Sequence, residues 1–379
     1  MTQNHIKKAD LLFVINDFKF FESHRKNLIL DLNSRGLKVQ VVTNLETATS
    51  NDLERYKKIG VDLIDFKFNR SSIGVFSNIN SLFRLFLILK KYKPNKISLV
   101  SSKPIVYGGL CAAVLRFDKV FYTISGLGYS FISDSKKAIF VSKVIFKIYK
   151  FIFSKSNIKV IFQNHDDLSF FIKNQLLSRD KALCIQGNGI SLEDFKREKY
   201  PDQLSFLFAS RLLTDKGINE YIRAAENCSD LGAIFQVAGD IDLDNPNSLS
   251  KDQLVDLTNN QSIDYLGNIE YKTMPRVFNE AHILVLPSYR EGLPKVALEA
   301  AASGMPLILS DVNGCRDCLI NGETGFLTEN KNSRDLENKF KYFINNPEKV
   351  IEMGSASRRH VESFFSEEVI FNKFFKIYS

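Results

Sequence analysis

No apolar run in this chain reaches the roughly 18 residues that a membrane-crossing helix needs. The first apolar stretch, Leu11–Ile15, is too short for the core of a secretory signal peptide, although Lys7 and Lys8 precede it. Cysteine is scarce. The five residues Cys111, Cys184, Cys228, Cys315 and Cys318 are odd in number and mostly isolated, which argues against a disulfide framework. Cys315-x-x-Cys318 has no second Cys or His pair nearby to complete a zinc site. A reducing cytoplasm suits such a chain. No internal repeat and no low-complexity tract is visible. Acids are scarce in the first half, where residues 1–190 hold 30 Lys/Arg against 14 Asp/Glu, while residues 191–379 hold 21 against 29. Residues 136–159 contain no acid at all. A basic half joined to an acidic half implies that the first half meets something anionic: nucleic acid, a phosphorylated lipid or an anionic membrane face. No nucleic-acid motif accompanies the charge, so nucleic acid is the poorer of these uses. What is present, 379 residues with 44% hydrophobic and 25% charged side chains, fits a soluble globular protein of two domains.

The informative stretch runs from His282 to Asp317 and reads as strand, loop, helix, strand. Ile283–Leu286 is a short continuous apolar run, as expected of a parallel strand covered on both faces. Pro287 and Ser288 end it. Pro294 suits the first turn of a helix, where its missing N–H costs nothing. Val296, Ala297, Ala300 and Ala301 supply that helix with an apolar stripe; Gly304 and Pro306 stop it before the strand that begins at Leu307. The loop Tyr289–Leu293 therefore lies at the carboxyl end of a strand and faces a helix N-terminus, where open α/β sheets bind anions. Glu291 and Glu299 flank this loop. A carboxylate accepts hydrogen bonds from neighbouring hydroxyls, so the pair suits a ligand rich in diols, such as a nucleotide sugar.

Taken in order, Leu11–Asn16 and Lys38–Thr43 are strands, with a helix between them that Ser23 is positioned to cap and that runs through Arg35 to Gly36. No glycine-rich phosphate loop follows the first strand; D-F-K-F-F-E-S-H-R stands there. His24, at that helix start, is placed either to touch a ligand hydroxyl or phosphate or to be a partly exposed residue near a cap, with Arg25 beside it. Gly74–Lys93 reads as a helix, Ile97–Val100 and Val120–Ile124 as strands, and Lys103 and Gly126-Leu-Gly128 occupy the loops after those strands. Lys136–Lys159 places Lys143, Lys147 and Lys150 on one helical face beside Phe140, Phe151 and Phe153. That is the pattern of an interfacial helix on an anionic membrane, or of an ordinary sheet-covering helix with solvated lysines. Gly187-Asn-Gly189 and the polar residues before Pro201 mark a linker. Leu204–Ala209 restarts a βα alternation, and Arg211 and Lys216 follow it. Two cations after a strand can neutralise a leaving diphosphate, work that a metal ion would otherwise do.

P-S-Y-R-E-G-L-P-K-V-A-L-E-A resembles the E-x7-E signature of the family 4 glycosyltransferases, which are retaining enzymes of the GT-B fold. R-L-L-T-D-K-G at 211–217 is similar to that family's R-L-x-x-x-K-G, and N-G-I-S-L-E-D-F at 188–195 to its hinge. F-F-E-S-H-R, S-G-L-G-Y and G-D-I-D-L-D-N-P look like a subgroup that builds bacterial surface polysaccharides on lipid carriers. The resemblance implies an α/β GT-B protein of two doubly wound Rossmann-like domains facing across a cleft. Residues 1–190 would bind the acceptor, 191–360 the nucleotide sugar, and a helix in 361–379 would cross back to the first domain. It assigns the ribose to Glu299, the donor sugar to Glu291 and the Gly292-Leu293-Pro294 backbone, the diphosphate to Arg211 and Lys216, and backbone contacts with the base to the stretch ending at Ile269. His24, Arg25, Lys103, Gly126 and Gly128 are left as acceptor-side candidates. The reaction implied is hexosyl transfer, with UDP as the expected nucleotide, to a polyprenyl-diphosphate-linked saccharide by a cytoplasmic enzyme peripheral on the inner membrane face. No cofactor and no obligatory metal are expected; the acids Asp240, Asp242 and Asp244 invite a metal reading, but such sites belong to the other main glycosyltransferase fold. Two rivals remain: a GT-B nucleotide-sugar epimerase or hydrolase, and a non-catalytic assembly partner.

Overall fold

The computed structural model describes residues 8–68, 75–126 and 136–379. It divides into two compact units, one running to Asn188 and completed by Ile370–Ser379, the other spanning Gly189–Val369. Gly187 and Gly189 on either side of the division both have φ near +84°, a conformation that favours glycine, so the chain turns where the sequence is most permissive.

The first unit alternates strands and helices: β1 (Leu11–Val14), α1 (Phe18–His24), α2 (Lys26–Ser34), β2 (Val39–Thr43), α3 (Ser50–Lys58), β3 (Asp62–Asp65) and α4 (Val75–Tyr92). It continues through β4 (Lys96–Val100), α5 (Ser102–Leu115), β5 (Val120–Ile124), α6 (Lys136–Phe153), β6 (Ile158–Phe162), α7 (His165–Lys173) and β7 (Ala182–Cys184). The sheet order is β3-β2-β1-β4-β5-β6-β7, with all neighbours parallel. Central strands such as β1 and β5 are buried on both faces, which is why they read as plain apolar runs. The edge strands β3 and β7 lack such runs, and for that reason the sequence reading passes over them.

The period-two alternation of β1 sorts its side chains into two cores. Leu12 and Val14 join Leu85, Leu89, Ile105 and Ile152 under α4, α5 and α6. Leu11 and Phe13 face Leu28, Ile29 and the C-terminal helix.

In the second unit the order of elements is β8 (Ser205–Ala209), α8 (Ile218–Glu226), β9 (Ile234–Ala238), α9 (Lys251–Thr258), β10 (Asp264–Gly267), α10 (Met274–Asn279) and β11 (Ile283–Leu286). Then come α11 (Lys295–Ala302), β12 (Leu307–Ser310), β13 (Gly325–Thr328), α12 (Ser333–Asn345) and α13 (Glu348–Phe364). Its parallel sheet runs β10-β9-β8-β11-β12-β13. Both sheets reverse their strand order beside the first strand of the unit, so each is doubly wound as expected.

Three local readings change. The helix after β1 is two helices: Asp17 caps α1 by accepting from the Phe20 N–H at 2.9 Å, and Ser23 lies in the last turn, donating back to the Lys19 carbonyl. An acid immediately before the first buried Phe outcompetes a serine that can satisfy itself within the helix. Lys103 belongs to the first turn of α5 rather than to a loop. Gly108 lets that helix approach the sheet, since a Cβ there would stand 2.5 Å from Leu99. At the C-terminus, α13 reaches Phe364 and the last helix, α14 (Glu367–Tyr378), begins after a break. Its Ile370, Phe371, Phe374 and Tyr378 enter the core of the first unit, where the Tyr378 hydroxyl meets Ser98 Oγ at 2.9 Å and Lys96 donates to the Tyr378 and Ser379 carbonyls.

Candidate functional site

In the second sheet the order reverses between β8 and β11, which pair directly. The loops leaving their carboxyl ends carry Arg211 and Lys216 on one side and Ser288 to Pro294 on the other. This is the switch point at which open sheets bind ligands.

Glycines set how closely these loops approach. Gly217, at φ +77°, would put a Cβ 2.1 Å from the Pro287 carbonyl oxygen, so only glycine lets the two loops touch. The Tyr289 N–H then donates to the Asp215 carbonyl at 2.9 Å. Beneath them Gly314, at φ +79°, lies where a Cβ would meet the Gly292 and Glu291 carbonyl oxygens at 2.3 and 2.7 Å. The sequence signal for this support is the Asn313-Gly314 turn dipeptide, which the sequence reading did not use.

The charged groups are held in pairs. Lys216 Nζ lies 2.5 Å from Glu291 Oε1, which also accepts from Ser288 Oγ at 2.8 Å. Both partners are largely withdrawn from water, at 20% and 10% side-chain exposure, so the attraction is weakly screened. Arg211 Nη1 contacts Asp242 Oδ2 at 2.6 Å in an exposed setting, and Asp242 is itself braced by its N–H donating to Ser248 Oγ at 2.8 Å. Asp242 thus serves a cation of the site. Among the described residues no group of three or more His, Cys, Asp or Glu gathers as metal ligands would.

Glu299 lies in α11 with its carboxylate buried. A buried carboxylate needs partners, and Oε1 has two: the Tyr271 hydroxyl donates at 2.7 Å and Lys295 Nζ approaches to 2.8 Å. Lys295 also donates to the Tyr271 oxygen and lies 4.4 Å from the centre of its ring. Burial, then the charge of Glu299, hold the Tyr271 phenol well above its ordinary range, so it is a hydrogen-bond donor at any physiological pH. Lys295, four residues before Glu299, was legible as a helical ion pair. Tyr271 was not, because only the tertiary fold brings it there.

Gly292 and Leu293 are half-buried, Pro294 is buried, and Pro294 is the N-cap of α11 rather than its first residue, without a side-chain cap on the helix N–H groups. Ile269 packs on the core two residues after β10. Cys315 and Cys318 are buried under the loop; burial, with the charge of Glu291 adding to it at Cys315, pushes both thiols far up, so they are inert.

The acceptor-side candidates fall in the first unit. Lys103 and Gly126 follow the paired strands β4 and β5, and the Ser101 N–H donates to the Thr123 carbonyl, so these two share one end of the sheet. His24 ends α1, stacked on Phe20 with centroids 4.4 Å apart and with Nδ1 at 2.7 Å from Ser23 Oγ. It lies in the last turn of α1, not at a helix start. Arg25 is a correction. It is 1% exposed, its guanidinium carbon 5.7 Å from the Phe374 ring centre, and burial pushes its pKa down to about 10. An arginine inside the α2–α14 core cannot meet an acceptor there. Gly128 lies outside the described residues.

Residues 10–164 match the family described as glycosyl transferase 4-like, and residues 190–360 match glycosyl transferases group 1. The chain is similar to the N,N'-diacetylbacillosaminyl-diphospho-undecaprenol alpha-1,3-N-acetylgalactosaminyltransferase of Campylobacter jejuni, at 27% identity over 86% of this chain and 87% of that one. It is similar also to the UDP-Gal:alpha-D-GlcNAc-diphosphoundecaprenol alpha-1,3-galactosyltransferase of Escherichia coli, at 28% identity over 68% of each. In fold it resembles Anabaena HepE in complex with UDP-glucose, with a TM-score of 0.76 and 16% identity over 97% of this chain and 99% of that one. Two parallel-sheet domains, each matched by its own family, make this chain a member of the GT-B glycosyltransferases that join a glycosyl transferase 4-like domain to a group 1 domain.

Proposed function

We propose that this glycosyltransferase moves a hexosyl group from a UDP-linked sugar to a saccharide carried on polyprenyl diphosphate, with retention of anomeric configuration, in the synthesis of a bacterial surface polysaccharide. The observation that carries the donor half is the Lys216–Glu291 pair at the β8/β11 switch point, with Arg211 on the same loop as Lys216. The acceptor half is supported by the undecaprenyl-linked substrates in the names of two relatives.

In this reading the acceptor hydroxyl oxygen bonds to the anomeric carbon while the bond from that carbon to the β-phosphate oxygen breaks. The electron pair leaves with the diphosphate, and the hydroxyl proton passes to a phosphate oxygen. Arg211 and Lys216 stabilise that leaving charge. Glu299, fixed through Oε1 by Tyr271 and Lys295, accepts from ribose hydroxyls, and Glu291 lies beside the sugar with the Gly292–Pro294 backbone. No side chain acts as a covalent nucleophile. His24, Lys103 and the glycines at 126 and 128 serve the acceptor side. The first domain meets its acceptor at the anionic inner face of the membrane through residues 136–159.

The test is nucleotide release across a panel of nucleotide sugars with extracted lipid-linked acceptor, and NMR of the product anomer. Release that requires the acceptor, with the donor's configuration kept, is expected. Release without acceptor would point to hydrolysis or epimerisation, an inverted product would refute retention, and no turnover with any donor would favour an assembly role. Because two cations carry the diphosphate charge, chelator should leave the rate within about two-fold in the same assay. Full loss restored by Mn²⁺ or Mg²⁺ would return Asp240, Asp242 and Asp244 to a metal role.

Glu299→Ala should raise the donor KM by about 10- to 100-fold while leaving kcat nearly unchanged, because a ribose contact is equally strong in ground and transition states. An unaltered KM with a collapsed kcat would contradict the assignment.

A further inference from the structure

We propose that the first unit binds a small soluble polyphosphate at the amino edge of its sheet, in a cavity between the ends of α4 and α5. The site is separate from the donor loops and from the acceptor-side residues, and it goes beyond the reaction proposed above.

The cavity, about 470 Å³ in volume, opens where α4 runs into β4 and α5 into β5. Cavities that hold small molecules are of this size. Because β4 and β5 are parallel, Lys103 and Gly126 leave them at the other end, a strand length of about 13 Å away. Six cations line the cavity, Lys8, Lys90, Lys93, Lys96, Arg116 and Lys119, against the single acid Asp118. Elsewhere in this unit exposed cations find carboxylates: Arg35 meets Asp31, Arg55 meets Glu22 and Lys67 meets Glu46, at 2.6 to 2.8 Å. In the cavity they do not. Among the described residues Lys8, Lys90, Lys93, Arg116 and Lys119 form no ion pair, and Asp118 neutralises none of them. Lys96 is committed to the Tyr378 and Ser379 carbonyls. Burial first, and then the charge of Lys119, lower its pKa against the opposing pull of Asp10, so cations here already repel one another.

The backbone gives a second, independent sign. Lys93, directly after α4, has φ +39°, and Arg116, the C-cap of α5, has φ +54°. Where α2, α3 and α11 end in the same region of φ, the chain uses Gly36, Gly60 and Gly304. The two helices that end on the cavity keep a strained cation instead, and such strain persists where the side chain has a use. Helix dipoles favour Lys90, Lys93 and Arg116 at these ends. They do not account for Lys8, Lys96 and Lys119, which lie on strand β4 and in loops, because a sheet has little net dipole. Charge names the ligand class. A single phosphodiester charge would leave most of these cations unmatched, whereas a short chain of phosphates meets several at once. Lysines bind phosphate as point charges, and Leu89 and Pro94, both buried, give the cavity an apolar wall for the organic part of a phosphate ester. A second cavity of about 330 Å³ shares Arg116 and adds Lys155, so the positive lining continues past the end of α5.

The experiment is isothermal titration of the full chain with inorganic triphosphate and, at the same ionic strength, with inorganic phosphate. Wild type is compared with Lys93→Gly/Arg116→Gly, with Lys8→Gln/Lys90→Gln/Lys119→Gln and with Lys216→Ala. Wild type should bind triphosphate about ten-fold or more tightly than phosphate. Each cavity variant should weaken that binding about ten-fold or more, while Lys216→Ala, changed only at the donor loop, should still bind one triphosphate with wild-type affinity. Without ligand, Lys93→Gly/Arg116→Gly should melt no lower than wild type, since glycine suits both dihedrals, and this separates lost charge from lost fold. Equal affinity for phosphate and triphosphate, or binding within about two-fold of wild type in either cavity variant, would overturn the proposal. So would loss of binding in Lys216→Ala, because the anion would then lie at the donor loop. Turnover decides none of these outcomes, so the donor and acceptor assignments stand or fall separately.

Discussion

Lys216→Ala should lower kcat and kcat/KM together by roughly 30- to 1,000-fold, equivalent to about 2–4 kcal/mol of transition-state stabilisation. The leaving diphosphate gains charge as the glycosidic bond breaks, so a cation there acts more strongly on the transition state than on the bound donor. Arg211→Ala should fall towards the lower end of the same range. Its guanidinium is 58% exposed and screened by water, whereas the Lys216 ammonium is 20% exposed. Lys216→Ala has a further consequence: Glu291, at 10% exposure, loses its cation and keeps the hydrogen bond from the Ser288 hydroxyl. Lys216→Arg should therefore recover part of the activity by restoring the charge, although the planar fork does not fit the place of a compact ammonium. Steady-state kinetics with saturating acceptor, alongside thermal melts, provide the check. Turnover near that of wild type in both alanine variants would remove the diphosphate assignment.

Gly314→Ala should cost about 1–3 kcal/mol of stability and lower kcat by about 100-fold. Two effects combine. At φ +79° any side chain is strained, and the added methyl would stand 2.3 Å from the Gly292 carbonyl oxygen, a backbone atom that can yield only if the whole Glu291–Pro294 loop moves. A displacement of about 1 Å in a positioning loop is enough for a loss of that size. Gly232→Ala separates the two effects. Gly232 has φ +81° but nothing within 4 Å of the new Cβ, so it should show the dihedral penalty without the kinetic one. Equal kcat in the two variants would mean that Gly314 does not support the donor loop.

The sequence alone determined the parts of this protein whose physics is local. Buried parallel strands must be apolar on both faces, so Ile283–Leu286 and Val120–Ile124 were legible to the residue. The helix after the donor loop was legible from Pro294, its alanines and Gly304. The loop after β8 was legible as cationic because both cations lie within seven residues of the strand. Helix caps were less secure, since Asp17 and Ser23 are both competent and only the packing of Phe18 and Phe21 decided between them. The tertiary structure alone decided which charges meet. Lys216 with Glu291, Arg211 with Asp242 and Tyr271 with Glu299 are separated by 75, 31 and 28 residues, so no local pattern announces them. It also decided that Arg25 turns inward while its neighbour His24 stays half-exposed, a choice made by the helix α14 that arrives from the far end of the chain.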